Sequence, residues 1–363
     1  MLLTALRLAD FRNYATLDFG PAPGLNVFAG PNAQGKSNLL EAIAMLATGK
    51  SFRARREVEL IRDGAARAQI AGQARVPAGT IALHASIVRT GSGARKSFDV
   101  NGSPVGFAGF LGRARVVTFI PADLQLVAGG PALRRTFLNG ALAQLSPAYY
   151  RDLARYGKIV QQKAALLRGA IAPDRALLLA YNDELLAPGA ALMSARAAFV
   201  AEIAAAAGGV YARWLGARER IEIAYAPNVP GAESDPRAAF AAALTANVDA
   251  ELRRKTTLVG PHRDDVRLTI GGRALDAFGS QGQQRTAVLA LKVAEYETMR
   301  SRAGDAPILL LDDVLSELDA ERAGGFLAAV GTYEQAFLTT TELPATTPNA
   351  TRFRITAATI AAC

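Results

Sequence analysis

Cysteine is all but absent from this 363-residue chain: Cys363 is the only one. A lone thiol excludes an intrachain disulfide framework and fits a reducing, cytoplasmic setting. Long hydrophobic runs are missing too. The most apolar stretch, Leu185 to Val210, is interrupted by Pro188, Arg196 and Glu202, so no segment of membrane-spanning length is expected. The first residues meet Arg7 and Asp10 too early for a signal peptide. Roughly 240 residues separate Ser37 from Ser280, yet they contain no sustained heptads, which argues against a coiled-coil arm and for a compact helical lobe. Acid is outnumbered, with 41 Lys and Arg against 32 Asp and Glu, a formal net charge of +9. That excess suits a polyanionic partner, although an arginine-rich composition gives the same sum without binding anything. Arg53, Arg55 and Arg56, the pair Arg134 and Arg135, and Arg253-Arg254-Lys255 form short basic knots. Arg151, Arg155 and Lys158 follow helical spacing. Each is a candidate for phosphate-backbone contact or plain solvated surface; Arg53, Arg55, Arg56, Arg134 and Arg135 are the DNA contacts put forward. Aromatics near them are few, which favours duplex phosphate over stacked single strands.

What the chain does have begins at Gly30-Pro31-Asn32-Ala33-Gln34-Gly35-Lys36-Ser37, a complete phosphate-binding loop. An apolar run, Leu25 to Ala29, precedes it, and apolar residues at helical spacing follow from Asn38 to Leu46. Strand, glycine-bounded turn and helix start are the setting this motif needs. The glycines let amide N–H groups point inward at phosphate oxygens, and the helix N-terminus adds partial positive charge. Lys36 is placed to reach the β- and γ-phosphates of a nucleoside triphosphate, and Ser37 to bind Mg²⁺.

A second apolar run, Pro307 to Leu311, ends in Asp312 and Asp313. Asp312 is the candidate to hold Mg²⁺ through water, and Asp313 to orient or deprotonate the attacking water. The segment Ser280-Gln281-Gly282-Gln283-Gln284-Arg285 opens another apolar helix. Ser280, the Gly282 amide and the helix dipole could converge on a γ-phosphate; an ordinary N-cap would account for the serine alone. Asp123 is read as a water or metal contact or a helix cap, His262 as a structural turn residue, and Arg263 and Asp264 as internal bracing or dimer interface without a catalytic role.

Together these segments resemble the head ATPases of the ABC superfamily and, within it, the bacterial recombination mediators. The likeness extends through Asp10-Phe11-Arg12-Asn13-Tyr14, Lys50-Ser51-Phe52-Arg53, Phe119 to Leu124, Gly130 to Leu138 and Gly260-Pro261-His262-Arg263-Asp264-Asp265. Two departures stand out: Asn139 where an acid is expected, and Gln162-Lys163 where an Arg-Asn pair is usual. The resemblance implies an α/β fold, an ABC-type P-loop ATPase head (1–121 and 255–363) with an inserted, mainly helical second lobe (122–254) carrying a short strand return.

It also implies an ATP-dependent homodimer. Ser280, Gln281, Gly282 and Gln283 of one chain would act on the ATP held by Gly30 to Ser37 of the other, with Ser316 and Asp319 in an interface loop. Its function would be a DNA-binding recombination mediator that clamps duplex DNA at single-strand gaps in gap repair and replication restart. RecR and RecO would be its partners, and ATP with Mg²⁺ its cofactors. Asp313 has a shorter reach than the glutamate of many relatives, which implies weak, DNA-stimulated hydrolysis. The alternative is a nucleotide-gated DNA scaffold with negligible turnover. A transporter subunit is disfavoured by threonines at Thr339-Thr340-Thr341 where a histidine is usual, and a long-armed chromosome-organising ATPase by the lack of arms.

Overall fold

Leu6, Leu8 and Phe11 are buried along strand β1 (Leu2–Phe11), between more exposed neighbours, as a half-buried strand requires. The computed structural model describes residues 1–169, 174–215, 220–317, 323–324, 326–327, 330, 332–343 and 349–363. Strand β1 belongs to an antiparallel sheet with β2 (Tyr14–Phe19), β4 (Arg67–Val76), β5 (Gly79–Arg89), β6 (Ala94–Val100) and β7 (Ser103–Val105), in the order β2-β1-β4-β5-β6-β7. Between β6 and β7, Asn101 and Gly102 both take positive φ (52° and 76°), the turn that Asn-Gly predicts.

The second sheet is built from β3 (Gly24–Ala29), β8 (Val116–Phe119), β12 (Ile308–Asp312), β13 (Gln335–Thr340) and β14 (Thr351–Thr356), all parallel, with β15 (Thr359–Ala362) antiparallel at one edge. Its order is β15-β14-β3-β13-β12-β8. Every residue of β12 and β13 is buried, which is why Ile308 to Leu311 reads as an unbroken apolar run rather than an alternation. Helix α1 (Lys36–Thr48) packs against both sheets. Leu39, Leu40, Ile43, Met45 and Leu46 are all inaccessible, so this helix is apolar around most of its circumference. A single turn, α2 (Phe107–Phe110), adds Phe110 to the same core.

These elements form one compact unit, residues 1–124 and 295–363; residues 125–294 form another. The second contains α3 (Gln125–Ala128), α4 (Pro131–Leu145), α5 (Pro147–Arg168), α6 (Arg175–Leu215), α7 (Pro236–Arg254), α8 (Leu275–Phe278) and most of α9 (Gln281–Ala303). It also holds a three-stranded sheet, β11-β10-β9, made of β9 (Ile221–Ala226), β10 (Asp265–Ile270) and β11 (Arg273–Ala274). Residues 255–294 belong to this second unit. The pairing of Ile221–Ala226 with Asp265–Ile270 draws them there, so the strand return has a partner from beyond residue 254.

Helix α6 differs from expectation as well. It runs unbroken through Pro188, and by length and composition its Arg175–Tyr211 part could cross a membrane, with a mean hydropathy of 1.5 in its most apolar window. In this unit it packs against α5, α7 and β9. Gly189 explains the close approach to α7: a Cβ there would lie 2.4 Å from the Phe240 ring.

Candidate nucleotide site

Strand β3 delivers Gly30 to the C-terminal end of the parallel strands, and α1 carries the chain away from Gly35. Gly35 has φ +111°, and a Cβ on it would meet Asn13 at 2.9 Å and the Tyr14 hydroxyl at 3.1 Å. Glycine is therefore required at the helix start, and with no side chain it leaves the first amides of α1 free to face an anion. Lys36 is buried, and its ammonium donates to the carbonyls of Gly30 at 2.6 Å and Pro31 at 2.8 Å. Burial draws its pKa below the ordinary lysine range, while Asp313 and Asp312 pull it back up.

Asp312 ends β12 and is 6% exposed. Its Oδ1 accepts from the Ser37 hydroxyl at 2.7 Å and from the Thr339 hydroxyl at 2.8 Å. Thr339 in turn accepts the Asp313 amide at 3.0 Å. Asp313 itself sits at φ +51°, a left-handed backbone that a non-glycine residue adopts at a cost, and one met at functional sites. The hydroxyl of Ser37 and the carboxylate of Asp312 are hard oxygen donors that suit Mg²⁺, which takes one or two protein oxygens together with substrate phosphates. No cluster of three or more His, Cys, Asp or Glu among the described residues is arranged to hold a metal by itself.

A supporting network escaped the sequence reading. Arg12 holds Glu41 of α1 through the Nε–Nη2 edge of its guanidinium, with both bonds at 2.8 Å, and donates from Nη1 to the Glu59 carbonyl at 2.8 Å. Ser51 donates to the same carboxylate and accepts the amides of Arg53 and Ala54. Asn13 accepts from Asn38, and Tyr14 donates to the Gly35 carbonyl at 3.1 Å. Thus the segments Asp10–Tyr14 and Lys50–Arg53 brace the phosphate-loop helix. Only their place in the family pattern singled them out beforehand.

Ser280 and Gln283 form a reciprocal cap at the start of α9. The Ser280 hydroxyl accepts the Gln283 amide at 3.2 Å, and the Gln283 side chain accepts the Ser280 amide at 2.8 Å. Gln284 donates back to the Leu275 carbonyl at 3.0 Å. The N-cap reading is therefore correct as far as it goes, and Ser280 and Gln281 remain exposed at a helix N-terminus. Ser316 donates to the Asp313 carbonyl at 2.7 Å, and Asp319 lies outside the described residues. Asp123 accepts the Ile120 amide at 2.9 Å, the cap geometry.

Two of the proposed DNA contacts are occupied elsewhere. Arg134 is 8% exposed, grips Asp265 at 2.6 and 3.0 Å, and donates to the Gly129 carbonyl at 2.6 Å. Arg135 donates to the Asp264 carbonyl at 2.7 Å. Both are internal ties that no local pattern announces, and Arg134 is removed from the DNA candidates. Arg53, Arg55 and Arg56 are exposed, as are Arg151, Arg155 and Lys158 along α5.

Asp264 is buried and accepts from Arg196 at 3.1 Å, from Tyr225, and from the Asn228 amide at 2.8 Å. Asn139 accepts from Tyr149 at 2.7 Å and Arg196 at 2.9 Å, and Lys163 pairs with buried Glu251 at 2.6 Å. The unusual residues at 139 and 163 are thus integrated into the unit's interior. His262 bonds Tyr156 at 2.7 Å and Thr257 at 3.0 Å; burial, aided by Arg263, Lys163 and Arg135, lowers its pKa to about 4. It is a neutral structural residue.

Comparison with known proteins adds to this geometry. The profile of the RecF/RecN/SMC N terminal domain matches residues 2–358. The DNA replication and repair protein RecF of Symbiobacterium thermophilum is 42% identical over 354 residues, covering 94% of this chain and 92% of its own. A solved structure of the recombination mediator protein RecF-ATP in the RecFOR pathway superposes with a TM-score of 0.90 at 29% identity, over 99% of this chain and 97% of that one. The SMC head domain of Pyrococcus furiosus, at 14% identity and a TM-score of 0.58 over 99% and 95%, shares the fold.

Proposed function

This chain belongs to the RecF family, and from that premise we propose that it is an ATP-binding recombination mediator of DNA replication and repair. It binds ATP with Mg²⁺, closes as a homodimer on duplex DNA at single-strand gaps, and hydrolyses ATP slowly under DNA stimulation. Lys36 and the loop amides hold the triphosphate. Ser37 and Asp312 would hold the metal, which would supply charge neutralisation at the phosphates, and Asp313 would orient the attacking water. The bond of Ser37 and Thr339 to a single oxygen of Asp312 carries this reading, because it links loop, acid and core strand in one preorganised cluster. Each chain has one phosphate loop and one signature segment, Ser280 to Gln283, with Ser280 and Gln281 exposed, so a complete site on the family pattern takes two chains. ATP closes the dimer because its γ-phosphate binds the closed state better than the open one. RecR and RecO, the other members of the pathway named for the relative, are the proposed partners in the cytoplasm.

Light scattering with Mg²⁺ and no nucleotide, ADP or ATP tests the dimer. ATP alone should double the mass, and Lys36→Met or Ser280→Arg should abolish the doubling. A chain that stays monomeric with ATP and DNA both bound would sink the clamp. Phosphate release at saturating DNA separates slow turnover from the scaffold reading, in which none is seen.

A further inference from the structure

Strands β14 and β15 are joined by a two-residue turn, Ala357–Ala358, closed by the pair Thr356 and Thr359. Both alanines lie at positive φ, 46° and 60°. That turn normally takes Asn-Gly, because an ordinary side chain is crowded in left-handed backbone. Such a conformation persists only where its surroundings over-determine it. Ala358 packs against the hydrophobic core, and the turn's amides are held by one residue of the phosphate loop. The Ala357 amide donates to the Gln34 side-chain oxygen at 2.6 Å, and the Ala358 amide donates to the Gln34 carbonyl at 3.0 Å.

The same hairpin touches the loop at a second point. A Cβ on Gly30, whose φ is +159°, would lie 2.3 Å from the Ile355 carbonyl oxygen. β14 also pairs with β3 up to Arg354 opposite Ala29. The hairpin therefore grips the loop at its entry and at its middle, leaving Lys36 and the first amides of α1 to the ligand.

We propose that Gln34 is a positioning residue, tying the phosphate loop to the Ala357–Ala358 turn so that the loop keeps its phosphate-accepting shape. This rests on the ATP-binding reading of the loop. Gln34 itself touches no reacting atom. Losing its side chain removes the support of the strained turn, and once the turn relaxes the main-chain bond from Ala358 is lost with it.

The test is equilibrium binding of a fluorescent ATP analogue with Mg²⁺ to wild type, Lys36→Ala, Gln34→Ala, and Gln34→Ala combined with Ala357→Asn and Ala358→Gly. Gln34→Ala should weaken binding about tenfold. The combined variant, whose turn needs no support, should recover to within about twofold of wild type, which a role confined to the loop would not give. Binding by Gln34→Ala within twofold of wild type, or a loss that persists in the combined variant, overturns the proposal. Amide exchange at Ala357 and Ala358, read without nucleotide, supplies the independent arm. It should quicken in Gln34→Ala, and unchanged exchange overturns the clasp. Wild type that fails to bind, or binding that survives Lys36→Ala, would instead overturn the ATP-site reading, and the exchange rates would still decide the clasp.

Discussion

Arg12 and Glu41 meet edge to edge, with both guanidinium bonds at 2.8 Å and the carboxylate wholly buried on the inner side of α1. A buried carboxylate without its cation keeps the desolvation penalty and loses the compensation. Arg12→Ala should therefore cost about 3–5 kcal/mol of stability, and Arg12→Lys should recover only part of it because an ammonium cannot make the paired contact. Urea unfolding at neutral pH measures both.

Thr339 is a second test point. Its hydroxyl donates to Asp312 and accepts the Asp313 amide, so Thr339→Val keeps the shape, removes the acceptor of the Asp313 amide and leaves Asp312 held by Ser37. Stability should drop by about 1–3 kcal/mol. Steady-state hydrolysis with DNA should fall by on the order of tenfold while ATP binding through the loop holds. Phosphate release alongside nucleotide titration separates the two effects.

The His262 imidazole has its pKa lowered to about 4 in the folded protein, against 6.5 for the ordinary group. Between those values the unfolded chain binds the extra proton, so stability rises with pH. The contribution is fully present above about 6.5 and drains away as pH falls toward 4. Its ceiling is about 3 kcal/mol, reduced by the side chain's partial exposure. The difference between wild type and His262→Gln, taken from unfolding curves between pH 4 and 7.5, should narrow toward the acid end.

For DNA, replacing Arg53, Arg55 and Arg56 together by alanine should weaken duplex binding and reduce the salt slope by about two to three. Arg134→Ala should do neither directly and should instead lower the melting temperature, because it leaves Asp265 unpaired. Fluorescence anisotropy over a salt series distinguishes the two classes of arginine.

Local signals made the nucleotide site readable. Leu25–Ala29, Gly30–Ser37 and Ile308–Asp312 each carry their pattern within a dozen residues, and their elements fall where those patterns predict. The Asn101-Gly102 hairpin is equally local. Sequence pattern did not reveal Arg12 with Glu41, Gln34 with Ala357, or Arg134 with Asp265, since each pairing joins distant positions and leaves no periodic trace. The pairing of Ile221–Ala226 with Asp265–Ile270 is of the same kind, a strand partner supplied from beyond residue 254. Pro188, Arg196 and Glu202 interrupt the apolar run without interrupting the helix: α6 passes through all three and packs on α5 and α7.

Ser37 and Asp312 lie 275 positions apart, and β3 has β13 and β14 as its two neighbours. On a ribosome, residues 24–48 emerge early and wait. Until residues 308–356 follow, β3 has two bare edges and α1 is covered only on the side of the antiparallel sheet. Residues 125–294, which pack as their own unit, can fold in the interval. The nucleotide pocket thus waits on strands made long after its loop, and ATP present during synthesis can reward only the step that brings them together.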